Sequence, residues 1–123
     1  MKKEMTLWSL DLAVDLQGCK EELYDEKEIK LFAQAINKKI DTRNSEILGV
    51  VNSEFGKHEE NMRGFRLVHE SQNTLITGHF VNKDKKAYIN IHSCQPYSVT
   101  DVVNLICEMA NPDSCKFKKI LRE

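Results

Sequence analysis

The sequence predicts an α+β fold, a two-layer sandwich in which an antiparallel-rich sheet carries two helices on one face. Three observations lead there. Several stretches alternate apolar and polar residues, two others repeat apolar residues every three or four positions, and the resulting order is β-α-β-β-β-β-α-β, with a short-turn hairpin following a third strand. From Leu7 to Leu16 the residues Leu10, Leu12, Val14 and Leu16 fall on one side and Asp11, Ala13 and Asp15 on the other, the period of a half-buried strand, and Gly18 ends it. Between Asp25 and Ile40, Ile29, Phe32, Ile36 and Ile40, with Leu31 and Ala35 beside them, form the stripe of an amphipathic helix.

Glu46 to Val51 reads as a second strand, and the polar, charged stretch Asn52 to Arg63 with its Gly56 as a mobile loop. Phe65 to Glu70, Thr74 to Val81 and Lys86 to Cys94 are three more strands, the last two joined by the turn Asn82-Lys83-Asp84-Lys85. Ser98 is the N-cap of a second helix, with Asp101 as a short form of the capping-box acid. Val102, Val103, Leu105, Ile106 and Met109 are its buried stripe, Asn111-Pro112 its stop, and Cys115 to Leu121 a final strand. Such a sandwich leaves one sheet face without helices. Uncharged residues of both parities in the first and third strands predict that this face packs on another subunit of a homo-oligomer, a dimer or trimer.

At 123 residues the chain has the length of a single domain, 1–123, with one modest core. Its 18 basic and 19 acidic residues nearly cancel, so no field is expected that would draw in nucleic acid or an anionic membrane. Lys116, Lys118 and Lys119 read as a solvated strand face. No stretch approaches the roughly 20 apolar residues of a membrane span. Cysteines at 19, 94, 107 and 115 have neither C-x-x-C nor zinc-like spacing, and the first residues lack a signal-peptide core, so a reduced, cytoplasmic protein is expected. His58, His69, His79 and His92 show no metal-ligand spacing. Tyr24 and Tyr97 read as packing residues.

The densest chemistry lies in Gly64-Phe65-Arg66-Leu67-Val68-His69-Glu70-Ser71, followed by Thr77, His79 and Cys94 and preceded by Phe55, with Asp15-Leu16-Gln17-Gly18-Cys19 near the start. In these residues the chain resembles the small bacterial and archaeal S-adenosylmethionine decarboxylases, which share the D-L-x-G-C strand end, the aromatic residue, G-x-x-x-x-x-E-S, a Ser or Thr, a His two residues on, and a Cys fifteen beyond that His. The resemblance implies a ligand, S-adenosylmethionine or a derivative, and in the decarboxylases a backbone cut between Glu and Ser that turns the Ser into a pyruvoyl group. Here Ser71 would be that cofactor precursor, His79 would act in processing and Cys94 in protonation. One departure is local: the family's Ser-to-His separation of five is eight here, so Gln72-Asn73-Thr74 or their neighbours are inserted at the cleavage position. Three residues add up to about 10 Å of chain, whereas self-cleavage needs groups within about 3 Å. A gapless reading back from His79 instead puts Asn73-Thr74 at the cut, and Thr cannot give pyruvate.

An unprocessed relative can still act on a sulfonium, because the substrate's own carboxylate can attack its γ-carbon, closing a lactone and expelling neutral methylthioadenosine with no cofactor. The chain is similar in size, architecture and ligand to the small phage-type S-adenosylmethionine lyases that work this way. The expected activity is therefore a lyase acting on S-adenosylmethionine or a nucleotide adduct such as its AMP conjugate, of the kind used in antiviral signalling. In that reading Glu70 is the counter-charge to the sulfonium or α-ammonium. Ser71, Thr77 and His79 hydrogen-bond the carboxylate or ribose, and Phe55 or Tyr88 stacks on adenine. A pyruvoyl-dependent decarboxylase of polyamine synthesis and a non-catalytic ligand-binding or regulatory module are the alternatives. For Glu70 the bland reading is an exposed strand-end acid, for His79 a hairpin surface residue, and for Cys94 a small buried hydrophobe.

Overall fold

The structure, a computed structural model, describes residues 8–43 and 45–123. Among them six strands form one sheet in the order β2-β3-β4-β5-β1-β6, and every neighbouring pair is antiparallel. The strands are β1 (Ser9–Gln17), β2 (Glu46–Phe55), β3 (Gly64–Ser71), β4 (Thr74–Val81), β5 (Lys86–Ser93) and β6 (Ser114–Arg122), and the helices α1 (Glu26–Ile40) and α2 (Val99–Ala110). The predicted order and two-layer class hold. Leu7, the expected first residue of the first strand, lies outside the described residues.

Each helix starts where its cap stands. Asp25 accepts from the Glu28 N–H at 3.1 Å and Ser98 from the Asp101 N–H at 3.2 Å, satisfying first-turn donors that have no partner within the helix. Asn111 ends α2 in the left-handed region at φ 45°, which Asn tolerates better than most residues, and Pro112 prevents continuation. The helices share a core with one sheet face: Ile29, Phe32, Ala33 and Ile36 of α1 and Val102, Val103 and Ile106 of α2 pack with Leu12, Val14, Leu16, Leu67, Ile76, Phe80, Ile89 and Ile91. At its centre Phe80 is fully buried, with Phe32 and Tyr24 edge-on at 5.9 and 6.3 Å between centroids. Gly78 keeps that ring in place, since a Cβ there would stand 2.9 Å from Phe80 Cε1. Leu31, counted beside the helical stripe, is instead exposed.

One segment corrects the sequence reading. Asn52 to Phe55 is not loop but the continuation of β2, because β2 shifts register between Asn52 and Phe55 and still pairs Phe55 with Gly64. The remainder, expected to be mobile, is folded into turns by backbone bonds from Lys57 to Glu54, Glu59 to Gly56 and Met62 to Glu59, with Gly56 at φ 67°. Elsewhere boundaries move by one or two residues. The Asn82–Lys85 turn contains a single short 3₁₀ turn with Asp84 and Lys85 at positive φ.

Candidate substrate site

Strand register turns the helix-free face into three parallel rows running from β3 to β6. The first is Arg66, His79, Tyr88, Asp15 and Lys116. The second is Val68, Thr77, Asn90, Ala13 and Lys118, and the third Glu70, Leu75, His92, Asp11 and Ile120. Rows lie two residues apart along each strand, so the first and third are separated by about 13 Å.

At the end of the first row the Phe55 ring stacks on His79, with centroids 4.9 Å apart and planes 17° apart, and the Arg66 guanidinium lies 5.1 Å from the Phe55 centroid. Phe55 and His79 wall a cleft of about 360 Å³ whose lining includes Met62, Lys83, Lys86 and Tyr88. A second hollow of about 300 Å³ spans the second and third rows and is lined by Asp11, Leu75, Thr77, Asn90, His92 and neighbours on β6. Flat aromatic walls at one end and a mixed polar and apolar floor at the other suit a heterocycle carrying a flexible polar arm.

Of the residues singled out in the sequence, Phe55, Thr77, His79 and Tyr88 share this face with Glu70. Ser71 does not. It follows Glu70 by one residue and therefore points to the other face, where it is 4 % exposed; its Oγ donates to Asn37 Oδ1 of α1 at 2.9 Å and lies 3.3 Å from the Thr74 carbonyl. Cys94 is exposed just past β5, its N–H donating to the Asn73 carbonyl at 2.9 Å. It thus sits by the β3–β4 turn, at the opposite end of the sheet from His79. Gln72 and Asn73 make that turn and Thr74 opens β4, so the additional residues form the hairpin connection rather than a bulge. The Thr74 hydroxyl lies 2.8 Å from Ser93 Oγ on the helix-covered side.

Sequence reasoning passed over the cluster at the other end of the face. Asp11 Oδ1 lies 2.5 Å from His92 Nδ1 and its Oδ2 accepts from Arg122 Nε at 2.6 Å. Burial pushes the Asp11 carboxyl up, yet the hydrogen bonds from Arg122 and His92 and their charges together hold it below its ordinary value. The signal was strand parity: Asp11 and His92 both occupy the polar face of their strands, but only the β1–β5 register shows them opposite one another. On the covered face His69 is 1 % exposed, with Nδ1 3.3 Å from Glu46 Oε1 and neither ring nitrogen hydrogen-bonded among the described residues. Tyr24 and Tyr97 are the packing residues expected, their hydroxyls donating to the Lys86 and Leu10 carbonyls. Among the described residues no group of three or more His, Cys, Asp or Glu could hold a metal ion, and no helix is long and apolar enough to cross a membrane.

The fold agrees with the comparisons. The family model described as S-adenosylmethionine decarboxylase matches residues 10–123, and the chain belongs to that family. Among solved structures it is similar to the adenosylmethionine decarboxylase from Aquifex aeolicus VF5, with a TM-score of 0.76 over 96 % of this chain and 92 % of that one. Their 16 % sequence identity makes this a likeness of fold. No curated protein matches the sequence.

Proposed function

We propose that the helix-free face holds a sulfonium nucleoside, S-adenosylmethionine or a nucleotide adduct such as its AMP conjugate, and that the chain acts on it as a cofactor-independent lyase. Family membership supports the ligand class. The observation that carries the choice of reaction is the division between Glu70 and Ser71. Glu70, Thr77, His79, Tyr88 and Phe55 share the open face, while Ser71 is buried against Asn37 on the other. A pyruvoyl group formed from Ser71 would face the helices and not these residues. His79 is also remote from the Glu70–Ser71 bond, about 13 Å along the ladder, too far to take a proton there.

What the open face can supply is positioning, and positioning is what lactone formation needs. A carboxylate oxygen of the substrate forms a bond to its own γ-carbon, the C–S⁺ electron pair passes to sulfur, and a neutral methylthioadenosine product departs, leaving homoserine lactone. Effective molarity from holding such an arm in its reactive conformer reaches about 7–11 kcal/mol. Adenine stacks on Tyr88 or on the Phe55–His79 pair, Thr77 hydrogen-bonds the ligand, and Glu70 balances its positive charge. The apolar residues around the site, Leu48, Val50, Leu75 and Ile120, are each more than a third exposed, which supports a second copy of the chain covering this face in a cytoplasmic homo-oligomer. Antiviral use would belong to the adduct.

The retained Glu70-Ser71 pair and the family match favour a second reading, a pyruvoyl-dependent decarboxylase. Incubation with carboxyl-labelled S-adenosylmethionine separates the two. The lyase gives methylthioadenosine and labelled lactone from a protein of one intact mass, 14.2 kDa. Labelled carbon dioxide without methylthioadenosine, from a protein in two fragments cut before Ser71, overturns it.

A further inference from the structure

The Arg122–Asp11–His92 cluster has no part in the reading above, yet it forms one wall of the second hollow together with Lys118, Thr77 and Asn90. An ionised carboxylate has no proton to donate, so the contact with Asp11 fixes an N–H on His92 Nδ1 and leaves Nε2 directed away from Asp11. Arg122 gives its Nε–H to the same carboxylate, and its two terminal nitrogens have no partner among the described residues. A single acid thus orients two basic groups. Lys118, exposed in the second row opposite Ala13, has no ion pair among the described residues. Two cations and an imidazole therefore face a hollow whose lining acid, Asp11, is already engaged, while Leu75 and Ile120 supply apolar walls. Donors of this kind around a part-apolar hollow suit a carboxylate at the end of an alkyl arm.

Position agrees with chemistry. Tyr88, at the aromatic cleft, and His92 are four residues apart on β5, about 13 Å. An extended nucleoside with a four-carbon acid arm spans such a distance.

We propose that Arg122 and Lys118 are the receptor for the ligand's carboxylate, and that Asp11 is a positioning residue that aims Arg122 and His92 into the hollow. This rests on the sulfonium-nucleoside reading. It adds that the site selects ligands bearing a free acid, holding one carboxylate oxygen while the other is turned toward the γ-carbon.

The test compares two ligands that differ in the arm. Calorimetry with S-adenosylmethionine and with methylthioadenosine is run on the wild-type protein, Lys118→Gln and Arg122→Gln, with sedimentation to follow the oligomer. Lys118→Gln alters an exposed side chain with no ion pair among the described residues and is expected to leave the fold intact. Each variant is expected to lose about 10- to 100-fold in affinity for S-adenosylmethionine and to bind methylthioadenosine as the wild type does, with sedimentation unchanged. Equal loss for both ligands, loss for neither, or dissociation of an oligomer in place of the selective loss overturns the carboxylate receptor and leaves the sulfonium reading standing. A wild-type protein that binds neither ligand overturns both.

Discussion

The two faces of the sheet are made from the same strands and do opposite work. On the covered face Leu12, Ile76, Phe80, Ile89 and Ile91 are essentially inaccessible and pack on the helices. On the open face the residues in between, Arg66, Glu70, His79, Tyr88, His92 and Asp11, keep contact with solvent, and Asp11 and His92 with each other. Alternation at period two assigns each residue to one task, so binding residues vary without loosening the core, and a slip of one position in register would exchange them. Glu70 and Ser71 show how sharp the division is. Neighbours in sequence, they lie on opposite faces, Glu70 exposed and Ser71 buried against Asn37.

The largest test of this division is Phe80→Ala, which empties the centre of the covered face and is expected to cost about 3–5 kcal/mol in denaturant unfolding. Tyr88→Ala, on the open face, should leave unfolding nearly unchanged. Ser71→Ala removes the donor to buried Asn37 and is expected to cost about 1–3 kcal/mol while turnover per folded molecule stays at the wild-type value. Loss of all turnover in a folded Ser71→Ala protein would break the comparison, because it would make the covered face the reactive one. Phe55→Ala should weaken nucleoside binding about tenfold with little change in melting temperature, as loss of one stacking ring does elsewhere.

Smaller effects sharpen the contrast. Burial holds the His69 imidazole below its ordinary value of 6.5; the Glu46 charge opposes this and Lys30 adds to it. The unfolded chain therefore takes up the proton first as pH falls, and stability declines below about pH 6.5 toward the depressed folded value. Melting temperatures from pH 7.5 to 5.5 should show that slope flattened in His69→Leu. Least of all, the thiols divide by environment. Burial pushes Cys115 up to about 11, aided by a hydrogen bond with Cys107, and burial raises Cys19 as well. Iodoacetamide at pH 8 should modify exposed Cys94 first and these two slowly.

Much of the architecture was legible because period and punctuation act locally. Asp25, Ser98 and Asn111-Pro112 mark helix ends by hydrogen bonds and dihedrals that need no tertiary partner. The extension of β2 through Asn52–Phe55 was not legible, since polar residues on an edge strand look like loop until β3 pairs with them. The same holds for the site. Motif spacing marked Phe55, Thr77, His79 and Glu70, and parity already divided Glu70 from Ser71, but motif spacing set them side by side. Asp11, His92 and Arg122 carry no motif at all. Asp11 and Arg122 are 111 residues apart and meet only because β1 lies between β5 and β6.

That placement of β1 also governs when the molecule can become itself. β1 is synthesised before either of its neighbours, which begin at Lys86 and Ser114. On the ribosome the β2–β3–β4 meander can assemble while β1 waits with two open edges, so closure of the sheet is a late, long-loop event and a slow one. Until β6 arrives, the edge of β1 is where nascent copies would find one another.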